Sequence, residues 1–153
     1  DKYAIFLRIG DSIWFDFRVD LKFDGNSWIY GQVLLTPTSV PRAHKKIGIA
    51  GPPIETSHGW LLLCHGVTVK QSAYDINAYL LDLHDPLCVI GRTYTPILEP
   101  ETDYEKYGIV NNTVFSCGTA VIEDTLYFYY GAGDKVIALA TVRLDDLLDR
   151  LKP

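Results

Sequence analysis

Hydrophobic, aromatic and β-branched residues occur in short runs along this chain, and residues that favour turns separate the runs. Runs of this length, rich in Val, Ile, Tyr, Phe and Trp and bounded by Gly, Asp, Asn or Pro, indicate β-strands. The chain is therefore predicted to be all-β. The predicted strands have the sequences YAIFLRI, SIWFDFRV, WIYGQVLL, WLLLCHGV, YDINAYLLDL, TVFSCGTAVI, TLYFYYGAG and KVIALATVRL.

One short helix is predicted, at the C-terminus. Two aspartates begin it, where their charge suits the positive end of the helix dipole, and leucines follow at helical spacing. Basic residues near its end complement the dipole there, and a proline stops it. The residues that carry this prediction are Asp145, Asp146, Leu147, Leu148, Leu151, Arg150, Lys152 and Pro153.

Three of the predicted strand pairs repeat a pattern of a strand, a glycine turn and a second strand that ends near an aspartate. The units start at Tyr3, Trp60 and Leu126, which gives spacings of 57 and 66 residues. Such spacings are compatible with β-propeller blades of four strands plus an elaborated loop. About two and a half blades are predicted, and because repeat units bury their faces against neighbours, a partner surface is implied.

The repeat also predicts which side chains meet. When the three units are overlaid, Arg8, His65 and Tyr130 fall within a residue of one another, close to the glycine turn. Equivalent positions in successive blades point at a shared axis. A guanidinium, an imidazole and a phenol are therefore expected to converge there.

Composition and charge narrow the class of protein. A net charge of -5 and a pI near 5.2 argue against nucleic acid as a partner. No apolar run approaches the roughly 20 residues that cross a bilayer, and the first residues lack the pattern of a signal peptide, so no membrane association is predicted. Cys64, Cys88 and Cys117 lie in separate apolar runs, which predicts buried free thiols and a reducing, cytoplasmic location.

The segment from Lys45 to His65 holds the clearest candidate chemistry. It joins a cationic pair, a rigid Gly-Pro-Pro corner at 51–53 and a strand that ends in His65, and basic and imidazole groups at strand ends suit anion binding. Lys46 could instead be an ordinary solvated lysine at a strand start. His65 could be a half-buried histidine that a backbone carbonyl satisfies.

Other candidates admit two interpretations. Asp134 could face a cavity at a strand end or be a turn aspartate, and Phe115 could line a site or pack in the core. The remaining histidines are predicted to lie in loops or turns, and because none has a partner at metal-ligand spacing, no metal site is predicted. Those histidines are His44, His58 and His84.

Several motifs together resemble those of a known family. KKIGIAGPPIET, GWLLLCHGV, YDINAYLLDLHDPLCVIGR, VNNTVFSCG and YYGAGD occur in this order. In order and spacing they are similar to the signature of the β-mannoside phosphorylases, which form a family of the glycoside hydrolase family 130 type. The resemblance covers nearly the whole chain but only about half of such a protein. It implies that residues 1–153 are the C-terminal part of a single five-bladed β-propeller, about half of the ring, with the remaining blades coming from another segment or chain.

The resemblance also implies roles for individual residues. The implied phosphate ligands are Arg8, Lys46, His65 and Tyr74, and the implied contacts to the mannosyl unit are Phe115 and Asp134. The sequence departs from the family at Asp75, where a basic residue is common, and at Asn111, Thr113 and Ser116.

The reaction implied is inverting phosphorolysis of a β-mannoside oligosaccharide, with inorganic phosphate as co-substrate and no cofactor, which releases α-mannose 1-phosphate. The general acid of the family lies upstream of the matched residues, so no catalytic residue is expected in this chain and the isolated chain is expected to be inactive. Two alternatives are a β-mannoside hydrolase of the same family and a non-catalytic sugar-binding or assembly module. A homo-oligomer is compatible with each of these.

Overall fold

The structure, a computed structural model, describes residues 2–22, 31–39, 42 and 44–151, without the side chain of Cys117. Within these residues the chain folds into three antiparallel sheets. The first sheet contains β1 (Tyr3–Ile9), β2 (Ser12–Arg18) and β3 (Gln32–Leu35). The middle sheet contains β4 (His44–Ile49), β5 (Ile54–Thr56), β6 (Gly59–Thr68), β7 (Tyr74–Leu81) and β8 (Val89–Arg92). The last sheet contains β9 (Val114–Ile122), β10 (Thr125–Ala132) and β11 (Val136–Arg143).

The strand order places β4 at one edge of the middle sheet. Its order is β4-β6-β7-β8, with β5 also paired to β6, and the other two sheets have the orders β1-β2-β3 and β11-β10-β9. The prediction of an all-β chain is confirmed. The part of predicted strand WIYGQVLL at residues 28–30 lies outside the described residues.

Two short helices accompany the sheets. The helix α1 (Asp103–Lys106) lies in the long connection between β8 and β9, and was not predicted. The C-terminal helix α2 (Leu144–Leu148) begins one residue before the two predicted aspartates and ends at Leu148. Lys152 and Pro153 lie outside the described residues. Neither α1 nor α2 has the length and apolar character that crossing a membrane requires.

The middle sheet is buried on both faces, because it lies between the other two. Side chains alternate between the faces of a strand, so Leu62 of β6 faces the first sheet while its neighbours Leu61 and Leu63 face the last sheet. Each of these leucines is almost fully buried and contributes about 2 kcal/mol through burial. This arrangement explains why WLLLCHGV is a continuous apolar run rather than an alternating one.

Large apolar side chains remain exposed on the two outer sheets. In β11 of the last sheet, Ile137 is 76% exposed and Leu139 is 48% exposed, and Tyr129 of β10 is also exposed. Tyr3 and Phe17 are exposed on the first sheet. Surfaces of this kind often mark contacts with other protein segments. The half-propeller and its missing blades remain a prediction.

The cysteine prediction is correct for one residue and wrong for another. Cys64 is a buried free thiol in β6. Cys88 is free but exposed, because it lies in the connection that precedes β8 rather than inside a strand.

Candidate functional site

Three of the predicted phosphate ligands lie on one face of the middle sheet. Gly48 of β4 pairs with His65 of β6, and Val67 of β6 pairs with both Lys46 of β4 and Tyr74 of β7. His65 has the same orientation as Leu61 and Leu63, which face the last sheet. The side chains of Lys46, His65 and Tyr74 therefore converge from three adjacent strands.

Ring contacts connect this group to the last sheet. The Lys46 Nζ lies 5.9 Å from the centroid of the Tyr74 ring. The His65 ring centroid lies 6.2 Å from that of Tyr74 and 4.5 Å from that of Phe115, the second residue of β9. Tyr74 and Phe115 make an edge contact at 5.7 Å. Phe115 is 38% exposed, so it borders the group and is not a core residue.

Arg8 joins the group from the first sheet. The turn between β1 and β2 is fixed against the edge strand β4, because the Ile47 N–H donates to the Asp11 carbonyl at 2.9 Å. The Arg8 side chain then lies beside Gly48, where a Cβ atom would be 3.2 Å from Arg8 Cδ. The Arg8 guanidinium donates to the Gly10 carbonyl. We call Arg8, Lys46, His65 and Tyr74 the cationic cluster.

Burial keeps the imidazole of His65 neutral. The side chain is 8% exposed, and burial lowers its pKa to about 4. The positive charges of Arg8 and Lys46 act in the same direction, while a backbone hydrogen bond at Ile49 and the charge of Asp75 oppose them. In the part of the chain that the structure describes, the buried Nδ1 of His65 has no hydrogen-bond partner. The cluster therefore offers two positive charges and an uncharged ring to an anion.

Two other predicted residues are not members of this cluster. Tyr130 was expected to converge with Arg8 and His65, and this expectation is wrong. Its side chain is buried between the middle and last sheets, and its hydroxyl donates to Glu105 Oε1 at 2.7 Å. Asp134 is exposed in the turn between β10 and β11, with a left-handed φ of 50°. It lies at the same end of the last sheet as Phe115.

The Gly-Pro-Pro corner at 51–53 borders a separate cavity. This cavity has a volume of about 700 Å³ and lies between the first and middle sheets. Aromatic side chains of both sheets line it, among them Tyr3, Phe17 and Trp60. The corner therefore shapes a largely apolar cavity that no member of the cationic cluster lines.

Sequence reasoning missed a buried polar network on the opposite face of the middle sheet. Asp75 is fully buried, and His44 Nε2 lies 2.8 Å from Asp75 Oδ1 and 3.1 Å from Oδ2. Asn77 Nδ2 donates to Asp75 Oδ1 at 2.9 Å, and Arg42 Nη1 lies 3.6 Å from Oδ2. The prediction of a loop position for His44 is wrong, because this residue begins β4 and is buried. His58 and His84 lie in turn or bend segments, as predicted.

Gly66 makes room for this network. The His44 ring lies directly over it, so that a Cβ at residue 66 would be 2.2 Å from His44 Cδ2. We expect Gly66→Ala to lower the free energy of unfolding by about 2 kcal/mol, the usual cost of forcing extra volume into a packed interior. Urea unfolding of the full-length protein measures this. An unchanged unfolding free energy would show that the ring can move away freely.

The described residues contain no group of three or more His, Cys, Asp or Glu side chains that could hold a metal ion. Instead, the cationic cluster provides hydrogen-bond donors and positive charges around Gly48.

Comparison with known proteins identifies the family of this chain. The family model of glycoside hydrolase family 130, described as beta-1,4-mannooligosaccharide phosphorylase, matches residues 9–153. The chain is 42% identical over 146 residues to the 1,2-beta-oligomannan phosphorylase of Thermoanaerobacter sp. (strain X514). This alignment covers 95% of this chain and 48% of that protein. It is 45% identical over 141 residues to the beta-1,2-mannobiose phosphorylase of the same organism. This second alignment covers 92% of this chain and 45% of that protein.

A solved structure gives the same result for the fold. The beta-1,2-mannobiose phosphorylase from Listeria innocua, in complex with beta-1,2-mannobiose, superposes with a TM-score of 0.82 at 37% identity. The match covers 98% of this chain and 43% of that one. The chain thus spans about half the length of the relatives it matches. The family predicted from the motifs is confirmed, and the chain belongs to glycoside hydrolase family 130, whose curated relatives here are mannoside phosphorylases.

Proposed function

We propose that this chain supplies the phosphate-binding half of the active site of an inverting β-mannoside phosphorylase. One observation carries the proposal: side chains from the first and middle sheets that are distant in sequence converge around Gly48 as a cationic cluster. Such a cluster suits a small anion, and membership of the family supports phosphate as that anion. In this proposal residues 1–153 are the C-terminal part of one β-propeller whose other blades complete the site.

Each member of the cluster has a chemical role in holding phosphate. The Arg8 guanidinium offers a planar fork of N–H donors, and the Lys46 ammonium offers a compact positive charge. The Tyr74 hydroxyl adds a donor that fixes the orientation of the anion. Bound phosphate favours the protonated form of His65, whose second N–H then adds a further donor. Phosphate held this way is aligned for attack, because the cost of orienting it is met on binding.

The reaction follows from this alignment. A phosphate oxygen forms a bond to the anomeric carbon of the mannosyl unit while the glycosidic C–O bond breaks on the opposite face. A general acid, supplied by the part of the site outside this chain, protonates the departing oxygen. The product is α-mannose 1-phosphate, with inverted configuration. We assign Phe115 and Asp134 to contacts with the mannosyl unit, since both lie at the end of the last sheet that borders the cluster.

An assay of the full-length protein tests this function. The protein is incubated with β-1,2-mannobiose, the disaccharide named in two relatives, and with a β-1,4-linked mannooligosaccharide, each with and without inorganic phosphate. We expect cleavage to require phosphate and to yield mannose 1-phosphate. Release of free mannose without phosphate would identify a hydrolase, and binding of the sugar without cleavage would identify a binding module.

Two adjacent lysines provide a matched test of the phosphate site. Lys46 belongs to the cationic cluster, whereas Lys45 is exposed and its Nζ donates to Ser72 Oγ at 2.7 Å. We expect Lys46→Ala to raise the KM for phosphate about tenfold or more, because a charge-assisted hydrogen bond is lost. Lys45→Ala should leave it unchanged. Equal effects of the two substitutions would mean that only the overall charge matters.

A further inference from the structure

The buried pair His44 and Asp75 spans three strands of the middle sheet. His44 belongs to β4 and Asp75 to β7, and β6 lies between these strands. The His44 ring crosses β6 over Gly66, whose missing side chain leaves the space, and Gly66 is the direct cross-strand partner of Asp75. A carboxylate only accepts hydrogen bonds, so His44 Nε2 carries the hydrogen and donates to Asp75. The pair therefore links two strands that are not neighbours.

Two members of the cationic cluster, Lys46 and Tyr74, are close in sequence to this pair but lie on the other face of the sheet. Tyr74 immediately precedes Asp75 in β7, so that the two side chains point to opposite faces. In β4 the register shifts between His44 and Lys46, which is a β-bulge at Lys45. Two residues of a regular strand that are two apart share a face, but the bulge sends His44 to one face and Lys46 to the other.

Hydrogen bonds, as well as packing, hold the Asp75 side chain in place. It is 0% exposed and accepts hydrogen bonds from His44 and Asn77, with the Arg42 guanidinium nearby. Arg42 is itself held by Glu99 at 2.7 Å. A buried polar network in which most partners are satisfied fixes geometry, because any displacement leaves a buried charge without its donors.

We propose that the His44 and Asp75 pair positions Lys46 and Tyr74 for phosphate, by fixing the distance between β4 and β7 from the back of the sheet. This inference rests on the proposed phosphate site. Neither residue touches the anion, so both are positioning residues. The pair sets where the ammonium of Lys46 and the hydroxyl of Tyr74 lie relative to His65, which projects from the strand between them.

The test removes the pair without leaving a buried charge. The triple variant H44L/D75V/N77V replaces the network by apolar side chains of similar volume, a change that is often neutral or stabilising for buried polar pairs. In the full-length protein we expect its melting temperature to stay at or above that of the parent. We expect the KM for phosphate to rise about tenfold while the KM for the mannoside changes less than about twofold, since only the anion site loses alignment.

Two further variants separate positioning from general effects. Asp75→Asn keeps an acceptor for His44 and should retain a phosphate KM within about threefold of the parent. Tyr130→Phe removes a different buried hydrogen bond, to Glu105, and should leave both KM values unchanged. Calorimetric titration with inorganic phosphate alone should show the same order of affinities.

The outcomes distinguish the two proposals. If the parent cleaves mannosides with phosphate but the triple variant binds phosphate as well as the parent does, the positioning role is wrong and the proposed function stands. A parallel rise in both KM values would also overturn it, because that indicates general loosening. If the parent neither binds nor uses phosphate, the proposed function fails and the positioning role fails with it.

Discussion

Replacing Gly48 by alanine is expected to lower kcat/KM for phosphate about 100-fold, although the substitution adds only a single methyl group. The new Cβ would lie 2.6 Å from both Cε1 and Nε2 of His65 and 3.2 Å from Arg8 Cδ. The imidazole cannot retreat easily, because Phe115 and Tyr74 pack around it. A shift of about 1 Å in His65 and Arg8 misaligns the bound anion, which accounts for the size of the effect.

The control for this substitution is another glycine in the same sheet. Gly91 of β8 would place a Cβ 3.4 Å from Leu151, which is an ordinary contact, and neither glycine has a left-handed backbone that alanine would strain. We expect Gly91→Ala to retain the parent kcat/KM. Steady-state kinetics with phosphate as the varied substrate measure both. If the Gly48→Ala protein kept full activity, His65 and Arg8 would not be phosphate ligands.

Stability in acid is the second large effect that we expect, and it comes from His65. Its pKa is about 4 in the folded protein, below the ordinary value for histidine of about 6.5 in an unfolded chain. Between these values the unfolded state binds a proton that the folded state does not, so the free energy of unfolding falls as the pH falls. The stability is fully present above about pH 6.5, and about 3 kcal/mol is lost by pH 4.

Urea unfolding of the full-length protein from pH 7.5 to 4 measures this contribution. Two replacements that do not titrate, His65→Leu and His65→Gln, should each lack it, so their pH profiles should agree in slope whatever their absolute stabilities. Saturating inorganic phosphate should make the parent profile shallower, since a bound anion next to the ring favours its protonated form. A parent slope equal to that of both variants would contradict burial of His65 as the cause.

The sequence was sufficient for most of the strands because the signals for them are local. Apolar runs between turn residues identified β1, β2, β6, β7, β9, β10 and β11. The strand β5 was missed because IET is too short to show a period. The helix α1 was missed because it is a single turn capped by Glu105, in a loop whose composition is acidic and proline-bearing.

The overlay of repeats correctly predicted that Arg8 and His65 lie close together, but its prediction for Tyr130 was wrong. Both outcomes have the same physical reason. The first two occupy the same position in their units, five residues after Tyr3 and Trp60, whereas Tyr130 is one residue short of that position after Leu126. Side chains in a strand change faces at every residue, so an offset of one turns Tyr130 toward the interior. The network around Asp75 could not be predicted at all, because His44 and Asp75 are 31 residues apart and no local pattern links them.

The fit of the His44 ring over Gly66 also bears on how the middle sheet finds its correct alignment while it folds. The neighbouring positions of β6 on that face are Cys64 and Thr68, and both carry side chains that would collide with the ring. Sliding β4 along β6 in either direction would therefore meet a steric penalty, and the polar ring would lose its carboxylate in an apolar interior. The lack of a side chain at Gly66 thus favours the observed register of β4 on β6 over misaligned ones. The side chains on both faces of the sheet are therefore in place before any substrate is present.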